Sequence, residues 1–305
     1  MKYRRLGRTN IRISVIGVGT WQFGGEWGKD FAQSEVSDML RRAQDRGINL
    51  IDTAECYGDH LSEQLIGGAI AGQRQQWVIA TKFGHKYHGY MKRSEPRTPA
   101  DVQAQLEDSL RALRTDYIDV YQYHSVRNIE FEDHGVRNVL FKAKQAGKIR
   151  HIGSSISPND NMHQTDGATA ADVETIQVIY NRLDRKPEQD VFPSCQRQNL
   201  GVLARVPLAS GLLSGKYQPG VAFPAGDVRH DKPQEQIDEQ LREVAKIQRE
   251  EVPSGVNMAV WALAWCLQHP AVTCVIPGCK SVEQVESNAA AADLDIVRDD
   301  HPQSA

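Results

Sequence analysis

Short runs of β-branched and aliphatic residues recur along the chain, each followed by a longer stretch in which apolar residues return every three or four positions. The first pattern has the period of a strand, the second that of an amphipathic helix. After a hairpin (Lys2–Leu6 and Ile11–Val15), strands are predicted at Val15–Gly19, Ile48–Asp52, Trp77–Thr81 and Ile118–Tyr123, then at Ile149–Gly153, Thr175–Ile179, Gly201–Val206 and Val272–Ile276. Helices are predicted over Ala32–Arg46, Leu61–Ala71, Pro99–Leu113, Glu132–Ala146, Gly167–Asp172, Gln189–Asn199, Gln236–Glu250, Val256–Gln268 and Ser281–Ala291. Gly47, Gly72 and Gly147 follow helical stretches, where a C′ residue takes positive φ.

Strands alternating with helices over the whole length predict an α/β protein with a parallel sheet. About eight of each predict a closed (β/α)8 TIM barrel, with an N-terminal β-hairpin and extra helices near the C-terminus. A doubly wound sheet would place G-x-G-x-x-G after its first strand. Here Gly17-Val-Gly19-Thr-Trp-Gln22 lacks the third glycine. No linker or repeat divides the chain, so residues 1–292 are expected to form a single barrel domain. The polar tail 293–305 is expected to be loose. Two loops are long, Phe83–Thr98 and Ser214–Glu235.

Composition narrows the function classes. Of 305 residues 40% are hydrophobic and 25% charged, and the formal net charge is −3 from 36 Lys+Arg and 39 Asp+Glu. Interleaved charges of that balance give no basic field for nucleic acid. No apolar run approaches the roughly 18–20 residues that span a bilayer, and no apolar segment follows the basic start as in a secretory signal. The five cysteines, Cys56, Cys195, Cys266, Cys274 and Cys279, form no CxxC pair. They read as thiols of a reducing, cytoplasmic compartment. His85 and His88 read as solvated loop residues, and no metal is expected.

In a barrel the loops after the strands converge on one face, so residues ending different strands meet there. Three consecutive strands end in polar residues: Asp52-Thr-Ala-Glu-Cys-Tyr57-Gly, Ala80-Thr-Lys82-Phe-Gly, and Tyr121-Gln-Tyr-His124. A strand-end lysine stays buried when a neighbouring strand supplies a carboxylate, here Asp52. Its ammonium is expected to lower the pKa of a phenol beside it, that of Tyr57. With His124 reaching in from the other side, this set suits protonation of a carbonyl oxygen. Taken one at a time, Asp52 as a helix cap, Lys82 as a snorkelling side chain and His124 as a core histidine are ordinary structural readings. Their joint placement is not.

These motifs resemble the aldo-keto reductase family: DTAECYG, IATKFG and DVYQYH, then IRHIGSSIS, QVIYNRLDR, VPLASGLLSGKY and IPGCKSVEQVESN. The resemblance covers nearly the whole chain. It implies an NADP(H)-dependent oxidoreductase interconverting carbonyls and alcohols, with Tyr57 as general acid/base and Asp52, Lys82 and His124 completing a tetrad. It also implies a cofactor site. Lys280 and Ser281 would hold the 2′-phosphate, with Gly278 in the same turn and Gln284 and Asn288 near the adenosine. Pro207, Leu208, Ser210, Gly211 and Lys216 form the turn that would cradle the pyrophosphate. Ser155 and Gln177 match the carboxamide-binding positions, and Trp21 matches one lining the pocket. The residues support this end independently. Ser281 with Gln284 has the form of a capping box, and a helix N-terminus beside Lys280 is a ready anion site.

Two positions depart from the common pattern. Ser155 is followed by Ile156 where the family often has asparagine, and Arg205 stands where many members place an aromatic ring against the nicotinamide. A planar guanidinium also stacks on a ring; turned outward, it would meet solvent or a phosphate. On the substrate side, Trp21, Phe23 and Trp27 are expected to form an apolar wall, with Tyr87, His88, Tyr90, Lys92 and Arg93 on the loop beside it. The partner is thus a small carbonyl or alcohol, in one reading polar, sugar-like or anionic, with no nucleic acid or membrane. A cofactor-bound regulatory subunit like the potassium-channel β subunits is the alternative. Those carry extra N-terminal sequence. A barrel hydrolase or isomerase would want paired carboxylates or a metal set.

Overall fold

The computed structural model describes residues 1–305. Strands β1 (Tyr3–Arg5) and β2 (Arg12–Ser14) pair as the antiparallel N-terminal hairpin. The barrel strands are β3 (Val18–Gly19), β4 (Leu50–Asp52) and β5 (Val78–Phe83), then, beyond a second hairpin of β6 (Lys86–Tyr87) and β7 (Arg93–Ser94), β8 (Ile118–His124), β9 (Ile149–Ser155), β10 (Val173–Ile179), β11 (Gly201–Arg205) and β12 (Cys274–Val275). They lie in the order β3-β4-β5-β8-β9-β10-β11-β12, every adjacent pair parallel. Parallel bridges Ile16↔Val275 and Gly19↔Gly278 join the two ends, with Gly17 N donating to Val275 O at 2.9 Å. The sheet therefore closes on itself, as in a (β/α)8 barrel.

The helices around it are α1 (Gln33–Asp45), α2 (Leu61–Ala69), α3 (Pro99–Leu113), α4 (Asn128–Phe131), α5 (His134–Gln145), α6 (Met162–Asp166), α7 (Val191–Arg197), α8 (Gln234–Glu250), α9 (Met258–Leu267) and α10 (Val282–Ala290). Local chemistry explains the clearest ends. Thr98 and Asp101 close a capping box on α3 with Pro99 at its first turn, and Asn257 accepts from Ala259 N and Val260 N to start α9.

Residue alternation along the strands builds the site. The barrel interior holds Leu50, Ala80, Val120, Leu203, Cys274 and Ile276, closed from below by Leu6 and Ile13 of the hairpin region. Their outward-facing neighbours, such as Ile51, Ile79, Phe83, Tyr121 and Val202, pack under the helices. Because side chains alternate with period two, the strand that turns Ala80 inward also turns Lys82 inward, and the one that turns Val120 inward presents Gln122 and His124 above it. Register brings them together pairwise at the strand ends: Gly19 opposite Asp52, Lys82 opposite Gln122, His124 opposite Ser155, Ser155 opposite Gln177.

The helix read over Glu132–Ala146 is present as α5, with Asp133 as its N-cap, its side chain accepting from Val136 N, and the short α4 precedes it. Three other local expectations are corrected. The helix read at Gly167–Asp172 lies earlier, as α6 capped by Asn161, followed by a 3-10 turn at Thr169–Ala171. The long loop after β5 contains the β6/β7 hairpin. The tail is not loose. Val297 is fully buried, Arg5 N donates to Gln303 O at 2.6 Å, Ala305 N donates to Tyr3 O at 3.2 Å, and Thr273 Oγ1 bonds Gln303 Oε1 at 2.5 Å. The tail thus pairs with the hairpin beneath the barrel. No helix is long and apolar enough to cross a membrane.

Candidate active site and cofactor groove

At the carboxyl end of the strands lies a cavity of about 690 Å³ that runs from Tyr57 and His124 past Arg205 and Leu208 to Gln284 and Asn288. At its floor Lys82, wholly buried, donates Nζ to Asp52 Oδ2 at 2.7 Å, Thr53 O at 2.7 Å and Tyr57 Oη at 3.3 Å. The other oxygen of Asp52 accepts from Gln177 Nε2 at 2.7 Å and Gln122 Nε2 at 3.3 Å. A buried carboxylate with an ion pair and two amide donors is fully satisfied, which makes so polar a layer tolerable inside a barrel. The backbone of Tyr57 is fixed from the side. A β-carbon on Gly24 would meet Tyr57 C at 2.6 Å, so the Trp21–Gly24 turn packs directly onto the Tyr57–Gly58 peptide.

Electrostatics sort the tetrad. Burial pushes the Tyr57 phenol up to about 12, Lys82 pulls it back, and Asp52 works against Lys82. The expected lowering is therefore overturned: desolvation wins, because the carboxylate behind the ammonium cancels much of its charge. Burial also opposes the Lys82 ammonium, but Asp52 and Tyr57 more than offset it and its pKa is raised. His124 is held well below the ordinary histidine value by burial and then by Lys82, so the imidazole is neutral at physiological pH. Its ring stands edge-on to Tyr57, centroids 6.2 Å apart, with Nδ1 3.8 Å from Cys56 Sγ.

Of the cofactor residues read from the sequence, Trp21, Asp52, Gln177, Arg205, Pro207, Leu208, Ser210, Gly211, Lys216, Gly278, Lys280, Ser281, Gln284 and Asn288 line the cavity. Ser155 does not. It is buried, and its hydroxyl donates to Gln177 Oε1 at 3.4 Å. Arg205 is held by one bond, Nη2 to Ile156 O at 3.4 Å, while its buried Nε has no partner. Backbone strain marks the turn that follows: Val206, Ala209 and Ser210 have φ of 54°, 48° and 57°. A β-branched residue there is a genuine outlier, and such outliers concentrate at ligand clamps.

The far end of the groove is cationic. Ser281 caps α10 by accepting from Gln284 N, and Gln284 Oε1 takes Lys280 N at 2.8 Å rather than completing the box on Ser281. Burial holds the Lys280 pKa down, Asp227 opposes this, and Arg229 and Lys29 add to the lowering. Lys280 Nζ donates to Trp27 O at 2.6 Å. Trp27 pairs in turn with Asp227, so the two loops meet beside the groove. Arg229, paired with Asp227, also donates Nη1 to Ser210 O at 3.1 Å. An orphaned guanidinium nitrogen, a strained turn and a cationic helix N-terminus along one groove fit an extended anionic dinucleotide.

On the substrate side, Trp21 stacks on Tyr57 (6.1 Å, 24°) and Trp27 meets Trp21 edge-on at 5.3 Å. Phe23 is not part of this wall; it is fully buried against Phe31 in the core. From the β6/β7 hairpin Met91 and Arg93 reach the cavity, with His85 beside them, whereas Tyr87, His88, Tyr90 and Lys92 do not line it. Sequence reasoning missed Met91, His85, Gln122, Glu26 and Arg229. Gln122 alone carried a signal, as a polar residue at the inward phase of an apolar strand.

The fold and site together define a barrel oxidoreductase that works with a dinucleotide, and the comparisons agree. The family model described as Aldo/keto reductase family matches residues 15–304. Aldo-keto reductase YhdN of Bacillus subtilis is 33% identical over 94% of this chain and 87% of its own. Among solved structures, aldo-keto reductase AKR11C1 from Bacillus halodurans in its holo form has a TM-score of 0.80 at 30% identity, covering 96% of this chain and 91% of that one. An aldo-keto reductase from Klebsiella pneumoniae in complex with NADPH has a TM-score of 0.71 at 28% identity, covering 96% and 90%. The chain belongs to the aldo/keto reductase family and is an oxidoreductase that works with a nicotinamide dinucleotide, NADP(H) being the cofactor bound in its solved neighbours.

Proposed function

We propose that this protein reduces an aldehyde or ketone to the alcohol, with Tyr57 as general acid. The observation that carries the reading is the Lys82 ammonium, bonded at once to Asp52 and to the Tyr57 hydroxyl at the floor of the cavity. NADPH bound in the groove supplies the hydride. Tyr57, kept protonated by its buried setting, points its hydroxyl at the position of the carbonyl oxygen and releases a proton as negative charge develops there. Lys82 stabilises the resulting phenolate, and Asp52 keeps Lys82 charged and in place. Neutral His124, whose Nε2 makes no bond within the protein, donates a second hydrogen bond to the same oxygen. Gln177 offers its amide to the nicotinamide carboxamide, Lys280 and Ser281 hold the 2′-phosphate, and the Pro207–Lys216 turn cradles the pyrophosphate.

Tyr57→Phe tests the assignment. Removal of general acid catalysis costs roughly 10²–10⁴-fold in kcat. NADPH affinity, followed by cofactor fluorescence, should stay within a few-fold. A variant with near-normal turnover on the best of a panel of aldehydes, ketones and sugars overturns the role given to Tyr57.

A further inference from the structure

We propose that Glu26 sets the charge preference of the substrate wall: by pairing with Arg93 it keeps the face beside Tyr57 neutral, so that uncharged carbonyls are accepted and carbonyls bearing a carboxylate are disfavoured. The inference rests on the reductase reading above. Glu26 is 1% exposed and lies behind the wall. Its Oε2 accepts from Trp21 Nε1 at 2.8 Å and from Arg93 Nη2 at 2.5 Å, and its Oε1 accepts from Met91 N at 2.9 Å. One buried carboxylate therefore ties the turn after β3, which carries the tryptophan stacked on Tyr57, to the β6/β7 hairpin.

The same contacts consume the cation. Arg93 would otherwise be an anion receptor at the mouth of the site. Its Nη1 donates to Gly89 O at 3.3 Å and Lys92 O at 3.0 Å, and its guanidinium lies 4.7 Å from the centre of the Tyr87 ring. What the wall presents to a ligand is then two indoles and Met91, which is 49% exposed. Nearby cations do not replace Arg93: Arg229 is paired with Asp227, Arg205 is assigned to the nicotinamide, and burial holds His85 below the ordinary histidine value. A carboxylate brought here loses water and gains no free charge.

Glu26→Gln removes the negative charge at nearly constant volume, keeps an acceptor oxygen, and leaves Arg93 in excess. The test compares kcat/KM for 4-methylbenzaldehyde and 4-carboxybenzaldehyde, close in size and different in charge. The wild type should favour the methyl compound by about tenfold or more, the scale of one unpaired charge at partly buried range. Glu26→Gln should narrow that gap by about tenfold through a lower KM for the carboxylate, with NADPH affinity unchanged. Arg93→Gln, which leaves the Glu26 charge in excess, should widen it. Mere loosening of the hairpin would weaken both substrates alike. Equal wild-type turnover of the two aldehydes, preference for the carboxylate, or an unchanged ratio in both variants overturns the proposal while leaving carbonyl reduction intact. Turnover of no carbonyl in the wider panel overturns the reductase reading and this inference with it.

Discussion

The Lys82 ammonium sits 2.7 Å from Asp52 Oδ2, with side-chain exposures of 0% and 5%. An ion pair this deep contributes little net stability, because both charges have left water, yet breaking it from one side strands the other charge. Asp52→Asn should destabilise the fold by about 3–5 kcal/mol. It should also lower the Lys82 pKa, since burial then acts without its main opponent, and slow carbonyl reduction with it. Urea unfolding and kcat on one protein preparation check both effects. Normal stability in the variant would mean that Gln122 and Gln177 rebuild the layer without the charge.

Much of this was legible because it violates a local rule. Asp52, Lys82 and His124 are polar residues ending strands that are otherwise apolar, and eight strands in series imply that their ends meet. Trp21 and Trp27 were legible as the substrate wall with Arg93 beside it, but the Glu26 tie between the turn after β3 and the β6/β7 hairpin was not. Glu26, in a turn, and Arg93, at the start of β7, lie far apart in sequence, and no periodicity relates one to the other. Two residues per strand in β6 and β7 fall below what alternation can signal. Phe23 and Trp27 look alike as aromatics near a glycine-rich turn, and only packing decides that the first belongs to the core. The tail reads as loose from its polarity, but Thr273 Oγ1 and the backbone of Tyr3 and Arg5 give its polar groups partners.

The tail also holds a group that is expected to contribute to acid sensitivity. His301 is held down to about 4 by burial and then by Arg4, and its Nδ1 accepts from Gln303 N at 3.0 Å. A histidine with a depressed folded pKa takes up its proton first in the unfolded chain. Its stabilising contribution is therefore present above about pH 6.5 and lost as pH falls toward 4. His85, His124 and His269 shift in the same direction, whereas His60 is raised and Glu55 is raised well above its ordinary value, both opposing the loss. Replacing His301 with glutamine should remove about 2–3 kcal/mol of the difference between urea unfolding at pH 7 and pH 4.5. An unchanged difference would mean that His301 becomes protonated in place without opening the tail.

Cofactor choice turns on Lys280. Its ammonium lies at the N-terminus of α10 and is satisfied, without a ligand, by Trp27 O. A 2′-phosphate offers a charged acceptor in exchange for a neutral one. Lys280→Ala should therefore weaken NADPH by tenfold or more, as expected for charge-assisted contacts of about 1.5–3 kcal/mol, and change NADH little. Two fluorescence titrations decide it. Equal losses for both cofactors would move the phosphate to Arg229 or Lys29.

Arg205 carries the sharpest expectation about redox state. It ends β11 beside the cavity, its Nε lacks a partner, and burial lowers its pKa while Tyr57 and Asp52 oppose that. The nicotinamide ring is expected to stack on the face of the guanidinium, with the in-plane Nε–H left to a ligand oxygen. The oxidised nicotinamide carries a positive charge and the reduced one does not, so the stacked arginine should repel NADP⁺ alone. At roughly 4 Å and an effective dielectric of about 20 the bare repulsion is about 4 kcal/mol. Cofactor phosphates and Asp52 reduce that, yet a remainder of ~1.4 kcal/mol is still tenfold in affinity. The protein should thus bind NADPH distinctly tighter than NADP⁺ and turn over faster as a reductase. Arg205→Tyr should narrow the gap by tightening NADP⁺, with NADPH little changed. Titrating each redox form into each protein measures it, and an unchanged NADPH/NADP⁺ ratio in the variant would mean that Arg205 covers no ring.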